Sequence, residues 1–291
     1  MFYEGNIYRP PSEASSLILQ VTVGCKHNQC TFCSMYKGKP YRQKNREEIA
    51  EIIEEGVALY PLAKRIFLAD GDALTLDTEL LVDLLKELYA RFPRLERVGI
   101  YGGPLDILAK SSAELTLLRQ YGLQIVYLGI ESGSAVVLKQ IKKGVTPQEM
   151  ITAGQRIVAS GILLSCTVIS GLGGTEYTKE HALETAKVVN AIDPQYFGTL
   201  TLILEPEAPL RRQVAAGTFK LLNPWETLEE LKLMIQHLDV HNCVYRSNHA
   251  SNYLTLKAHL PEEKDALLAT LTNVLEQNRD ELLRPETWRG L

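Results

Sequence analysis

Between residues 16 and 204 the sequence alternates between two kinds of run. Short stretches rich in aliphatic and β-branched residues are followed by longer ones with apolar residues at helical spacing. The strand-like runs are SLILQVTV (16–23), RIFLA (65–69), RVGIY (97–101), QIVYLGI (124–130), ILLSCTVI (162–169) and YFGTLTLIL (196–204). Between them, Ile49, Ile52, Ile53 and Val57 form one helical stripe, and Leu81, Leu84, Leu85 and Leu88 form another. Strands that alternate with helices imply a parallel sheet, because a parallel partner needs a crossover long enough to hold a helix. The expected fold is therefore α/β: six units curved into a partial (β/α)6 barrel of TIM type, with a mainly helical C-terminal extension. No linker or composition shift interrupts the series, so the barrel is assigned to residues 1–205 and the extension to 206–291.

Punctuation supports the helices. Asp77 is placed as an N-cap, and Ser111 with Glu114 as a capping box that ends near Gly122. Thr146, Pro147 and Glu149 open a further helix, and Thr178 another. Lys142 and Lys143 are read as closing a helix against its dipole. Two helices are expected near 225–238 and 262–277, with a short seventh strand around CVYRS and a solvated His237.

A chain of 291 residues, 45% hydrophobic and 23% charged, is long enough for a substantial core. With a net charge of −4 it gives no reason to expect nucleic acid as a partner. No run has the length of a membrane span and none reads as a signal peptide. A cytoplasmic location is expected, where cysteines serve as metal ligands rather than disulfides.

Three of the five cysteines fall in GCKHNQCTFCSMY (24–36): Cys25, four residues, Cys30, two residues, Cys33. The closing pair can reach one metal centre, though alone it also suits zinc or redox chemistry. A closed zinc site would take a fourth ligand, for which His27 is at hand. A four-iron cluster on three cysteines would leave one iron open. Cys166 and Cys243 have no such company; the first sits in a hydrophobic strand and reads as core.

With its loop at the end of the first strand, the sequence resembles the radical S-adenosylmethionine (SAM) superfamily over roughly residues 15–205. There, three cysteines hold a [4Fe–4S] cluster and SAM chelates the unique iron. This chain has one residue more than the family's usual first gap. Phe32, before the last cysteine, matches the aromatic the family places near the adenine. LADGDA (68–73) lies where the family has a turn for the SAM amino group, which would fall to Asp70, Gly71 and Asp72. LGIESGS (128–134) is similar to a segment of the branch that holds oxygen-independent coproporphyrinogen oxidase and the catalytic Elongator subunit. By that resemblance Glu131 would meet the ribose hydroxyls and Ser132 the SAM carboxylate. TVISGLGGTE (167–176) resembles the adenine motif, with Ile169 and Leu172 flanking the base and Gly171 allowing close approach.

The resemblance implies reductive cleavage of SAM to a 5′-deoxyadenosyl radical. That radical would abstract hydrogen from an unidentified small-molecule substrate. An external electron donor such as flavodoxin or ferredoxin is implied. The alternative is an iron–sulfur or zinc accessory protein without radical turnover. YRSNHASNY (245–253) is rich in directional polar groups; Arg246 and His249 are the candidates to face substrate, with Glu205, Glu207 and Arg211 near the same mouth. The competing expectation for this stretch is a hydrogen-bonded latch.

Overall fold

A computed structural model describes residues 3–290. In chain order the first elements are β1 (Leu17–Gln20), β2 (Thr22–Val23), β3 (Arg42–Gln43), α1 (Arg46–Leu59), β4 (Arg65–Ala69), α2 (Thr78–Arg91) and β5 (Arg97–Tyr101). There follow α3 (Pro104–Ala109), α4 (Ser112–Gln120), β6 (Leu123–Glu131), α5 (Ala135–Gln140), α6 (Pro147–Ala159), β7 (Leu163–Ser170) and α7 (Gly174–Ile192). The chain continues through β8 (Tyr196–Thr201), α8 (Leu210–Ala215), α9 (Pro224–Gln236), β9 (Cys243–Ser247), β10 (Leu256–Leu260) and α10 (Lys264–Gln277). Among the described residues no helix is long and apolar enough to cross a membrane.

Contacts divide the chain into two compact units. The first takes the chain up to Asn28, then Met35–Leu128 and Arg156–Leu164; the second takes Gln29–Ser34, Gly129–Gln155 and the chain from Ser165 onward.

In the first unit β1, β4, β5 and the start of β6 pair in parallel, in that order. The expected single first strand is broken in two. β1 pairs with β4 through Gln20, and β2 then turns to pair antiparallel with β3. Phe67 has no exposed surface, and its ring meets Tyr101 and Tyr127 edge-on at 4.9 and 5.6 Å. Each such pair contributes about 0.5–1.5 kcal/mol beyond the area buried. The capping boxes at Asn45–Glu48 and Ser111–Glu114 are formed. Asp77 does stand at the start of α2, but its side chain makes no cap bond. The first turn of α2 is fixed by Thr78 instead, which donates to Glu114 at 2.7 Å.

In the second unit β7, β8 and β9 are parallel and β10 returns antiparallel to β9. Cys166, Val168, Phe197, Cys243 and Tyr245 are all buried. The Tyr245 and Thr199 hydroxyls are 2.8 Å apart. Thr146 and Glu149 cap α6 as expected, and Asn223 with Glu226 boxes α9. α7 begins at Gly174, and Tyr177 breaks its helical path just before Thr178. Lys142 and Lys143 close a helix as expected: α5 stops at Gln140, Lys142 takes a left-handed φ of 55°, and the Lys142 and Lys143 N–H groups donate to the Lys139 and Leu138 carbonyls at 3.1 and 3.0 Å. The Lys143 side chain reaches Glu131. β10 and the short helices α3 and α8 were not expected.

Candidate active site

In the first unit the Asp70-Gly71-Asp72 turn grips the chain on both sides of Cys25. Asp70 is fully buried, and its Oδ2 accepts the Gly24 N–H at 3.1 Å, the Gln20 amide at 3.4 Å and the Lys39 ammonium at 2.5 Å. Asp72 accepts the Lys26 N–H. Between them, a Cβ on Gly71 would come within 2.8 Å of the Tyr36 ring and 3.0 Å of Cys25 Cβ. Only glycine lets the turn lie this close. Gly24 is equally constrained: its φ is +75°, and a Cβ would stand 2.9 Å from the Lys39 carbonyl. The turn expected to receive an ammonium therefore already has one, from Lys39.

Cys25, Cys30 and Cys33 are in no disulfide and all half-buried. Burial, then the charge on Asp72, pushes the Cys25 thiol up to about 12, against the Asn28 N–H that lies 3.4 Å from its sulfur. Among the described residues no three His, Cys, Asp or Glu side chains stand together as a ready ligand set. Ligation makes the thiols give up their protons to a cation. Three thiols within nine residues are a donor set that fits an iron–sulfur cluster with one open iron.

In the second unit the segment with Cys30 and Cys33 is pinned by backbone bonds on either side. The Thr31 N–H donates to the Ile141 carbonyl at 2.9 Å, and Leu210 N–H donates to the Thr31 carbonyl at 2.8 Å. Phe32 and Ile169 pack on a buried cluster that includes Val137, Leu138, Leu172 and Leu202. Phe32 thus meets Ile169 and Leu172, more than 130 residues further along the chain, in one apolar cluster.

Glu131 ends β6 with φ of +64°, a left-handed conformation that a side chain rarely adopts. Its carboxylate folds back, so that a Cβ on Gly129 would lie 2.1 Å from Glu131 Oε1, and it pairs with Lys143 Nζ at 2.9 Å. Gly133 lies so close to α7 that a Cβ would fall 2.2 Å from the Glu184 carbonyl oxygen. Ser132 is fully buried, its hydroxyl 2.8 Å from His181 Nδ1. Gly171 has φ of +90° and donates its N–H to Glu230 at 2.8 Å.

The polar stretch at 245–253 divides into two sets. Asn252 accepts from the Thr201 hydroxyl at 3.0 Å and donates to the Thr199 carbonyl at 2.8 Å, while Arg284 ties down the carbonyls of His249, Ala250 and Asn252. These residues are a latch. Arg246, by contrast, is exposed. Register places Thr167, Gly198, Arg246 and Lys257 in one row across β7, β8, β9 and β10, so their side chains share a face. Ile169 lies two residues along β7 on that same face. His249 is half-buried with Nδ1 2.9 Å from the Ser251 hydroxyl, and burial lowers its pKa. Glu205 accepts from Ser34, whereas Glu207 and Arg211 are exposed.

Sequence reading missed Lys39, Lys143, His181 and Glu230. The last left a signal: Thr227, Glu230, Leu231 and Met234 share the buried stripe of α9, and a carboxylate on such a stripe is out of place.

Comparison with known proteins gives the family. The model of the radical SAM superfamily matches residues 19–189, more than half of the chain. An uncharacterized methyltransferase of Pyrococcus horikoshii, PH0819, is 27% identical over 189 residues, which cover 62% of this chain and 38% of that protein. The crystal structure of methylornithine synthase (PylB) superposes with a TM-score of 0.54 at 18% identity, covering 77% of this chain and 63% of that one. Coproporphyrinogen III oxidase (HemN) from Escherichia coli gives 0.56 at 17% identity, covering 76% and 51%. The chain thus spans less than two thirds of the length of these relatives. The likeness to solved structures confirms an α/β fold of the partial-barrel type with mostly parallel strands. The chain belongs to the radical SAM superfamily, an enzyme family whose [4Fe–4S] cluster and SAM are its cofactors.

Proposed function

We propose that Cys25, Cys30 and Cys33 hold the cluster, and that the enzyme reductively cleaves SAM and uses the resulting 5′-deoxyadenosyl radical to take hydrogen from a small-molecule substrate. The observation that carries this reading is the loop itself. It carries three cysteines within nine residues, none in a disulfide, and the two carboxylates of the turn after β4 hold the amides that flank Cys25. Phe32, Ile169 and Leu172 offer the adenine an apolar wall, Glu131 offers the ribose a carboxylate, and Gly171 offers close backbone approach. Asp70 and Asp72 act in this reading through the Gly24 and Lys26 amides beside Cys25, with Gly71 giving the turn its close approach, and Ser132 acts through its buried contact with His181.

Arg246 and Lys257 stand directly opposite each other on β9 and β10. Like charges in that position repel, and an anionic group placed between them relieves the repulsion. The substrate in this reading carries a carboxylate or phosphate bound by Arg246, with His249 near it as a neutral proton donor or acceptor. Free thiols and a reduced cluster need a reducing compartment, so the reading places the protein in the cytoplasm with flavodoxin or ferredoxin as electron donor.

A second reading, methyl transfer, draws on the name of the Pyrococcus horikoshii relative. The products separate the two. Anaerobically reduced protein should convert SAM to 5′-deoxyadenosine and methionine, and Cys30→Ala should lose most of its iron and this activity. S-adenosylhomocysteine as the main product would favour methyl transfer. Bound zinc lost on His27→Ala, with no SAM cleavage, would make the protein a zinc-bearing accessory factor instead.

A further inference from the structure

Glu230 lies on α9, beyond the segment that matches the family, and its side chain has no exposed surface. A carboxylate in such a place is costly unless donors surround it. Oε1 accepts the Gly171 N–H at 2.8 Å and Oε2 accepts the Thr178 hydroxyl at 2.7 Å. His181, equally buried on α7, stands with Nε2 3.7 Å from Glu230 Oε1, and that nitrogen has no hydrogen-bond partner. On its other side Nδ1 is 2.8 Å from Ser132 Oγ. Ser132 Oγ also accepts the Ser134 N–H at 3.1 Å, and its own proton can go to His181 Nδ1. In the tautomer with Ser132 donating, the ring proton sits on Nε2, on the side of Glu230.

The three side chains have the composition of a hydrolytic triad. Ser132 is fully buried, however, so no substrate can reach its oxygen. What the chain of contacts does connect is two turns: Ser132 follows Glu131 at the end of β6, and Gly171 follows Ser170 at the end of β7, two residues after Ile169. Gly171 can take its φ of +90° at no steric cost, but nothing in its own conformation holds it there. Its N–H bond to Glu230 supplies that hold.

We propose that Glu230 and His181 are positioning residues which fix these two turns in the arrangement that binds SAM, so that the C-terminal segment completes the cofactor site. The inference rests on the assignment of Glu131, Ile169 and Gly171 to SAM. Burial pushes Glu230 up to about 7 and His181 down to about 4. The groups facing Glu230 are His181 and Thr178 from α7 and the Gly171 amide. Near neutral pH His181 is uncharged and Glu230 titrates. Its protonation withdraws a charged acceptor from the Gly171 N–H.

The test is SAM affinity, measured by anaerobic calorimetry on cluster-loaded protein. Glu230→Gln keeps the volume but loses the charge and the acceptor for Thr178. Its dissociation constant should rise roughly ten-fold with iron content unchanged, as expected for a lost charge-assisted bond. Wild-type affinity should weaken as pH falls through about 7, while that of Glu230→Gln stays flat. A purely structural role predicts the reverse, lower melting temperature with unaltered affinity, and that result overturns the proposal. Glu131→Ala is measured alongside. If it weakens SAM binding and Glu230→Gln does not, the network is wrong and the cofactor assignment stands; if neither changes affinity, both fall. Should Glu230→Gln not fold, a wild-type affinity that is constant between about pH 6 and 8 overturns the proposal by itself.

Discussion

Lys39→Met tests how the cysteine loop is held. The Lys39 side chain is 15% exposed and Asp70 is 0% exposed, so the substitution strands a carboxylate in the interior. Breaking a fully buried pair from one side costs about 3–5 kcal/mol. Here the lysine keeps some contact with water, and Asp70 retains the Gly24 N–H at 3.1 Å and the Gln20 amide at 3.4 Å. Asp70 Oδ1 has no partner at all, however, and gains none. The expected loss is therefore about 2–4 kcal/mol, or a melting temperature lower by roughly 4–8 °C for a chain of this size. Methionine fills most of the lysine stem's volume, which isolates charge from packing. Because Gly24 precedes Cys25, iron uptake on anaerobic reconstitution should fall as well. Asp70→Asn added to Lys39→Met removes the stranded charge and should restore at least half of the stability. Urea unfolding together with iron analysis reads both effects. A Lys39→Met protein within about 0.5 kcal/mol of wild type, with full iron, would show that the buried pair does not hold the loop.

Two further outcomes concern the ligands. Glu131→Ala should weaken SAM binding by about 1–3 kcal/mol without loss of iron, and unchanged affinity would leave Glu131 as a partner for Lys143 alone. Arg246→Ala and His249→Ala should each lower substrate-stimulated 5′-deoxyadenosine formation by about ten-fold or more, Arg246→Ala chiefly through KM; cluster-loaded variants with unaltered turnover would make the whole 245–253 stretch a latch.

The elements that were legible in the sequence are those set by local physics. The stripes of α1 and α2 and the capping boxes at Ser111 and Thr146 depend on residues three or four apart, and these appear where the pattern puts them. Some short helices escaped because six residues, as in α3, are too few to show a period. Asp77 stands where the N-cap was expected, but its side chain makes no cap bond, and the first turn is held by Thr78 on Glu114, a partner 36 residues away. The same holds at the site. The cysteines, Glu131 and the glycine turns announce themselves through spacing. Lys39 and Glu230 do not, since their partners Asp70 and Gly171 are 31 and 59 residues away in the chain. Only the charge on an apolar stripe of α9 hinted at the second.

Cys166 and Cys243 are fully buried, and burial pushes the Cys243 thiol up to about 12 and Cys166 above its ordinary value. Alkylating reagents attack thiolates that they can reach, so in the native protein these two, with no exposed surface, are silent. The three loop cysteines are partly accessible. Intact mass after alkylation therefore counts the loop alone: metal-free protein should gain three adducts, the one on Cys25 most slowly because burial raises its thiol as well, and a loaded one none, which turns the chain's own chemistry into a stoichiometer for assembly that needs neither colour nor turnover.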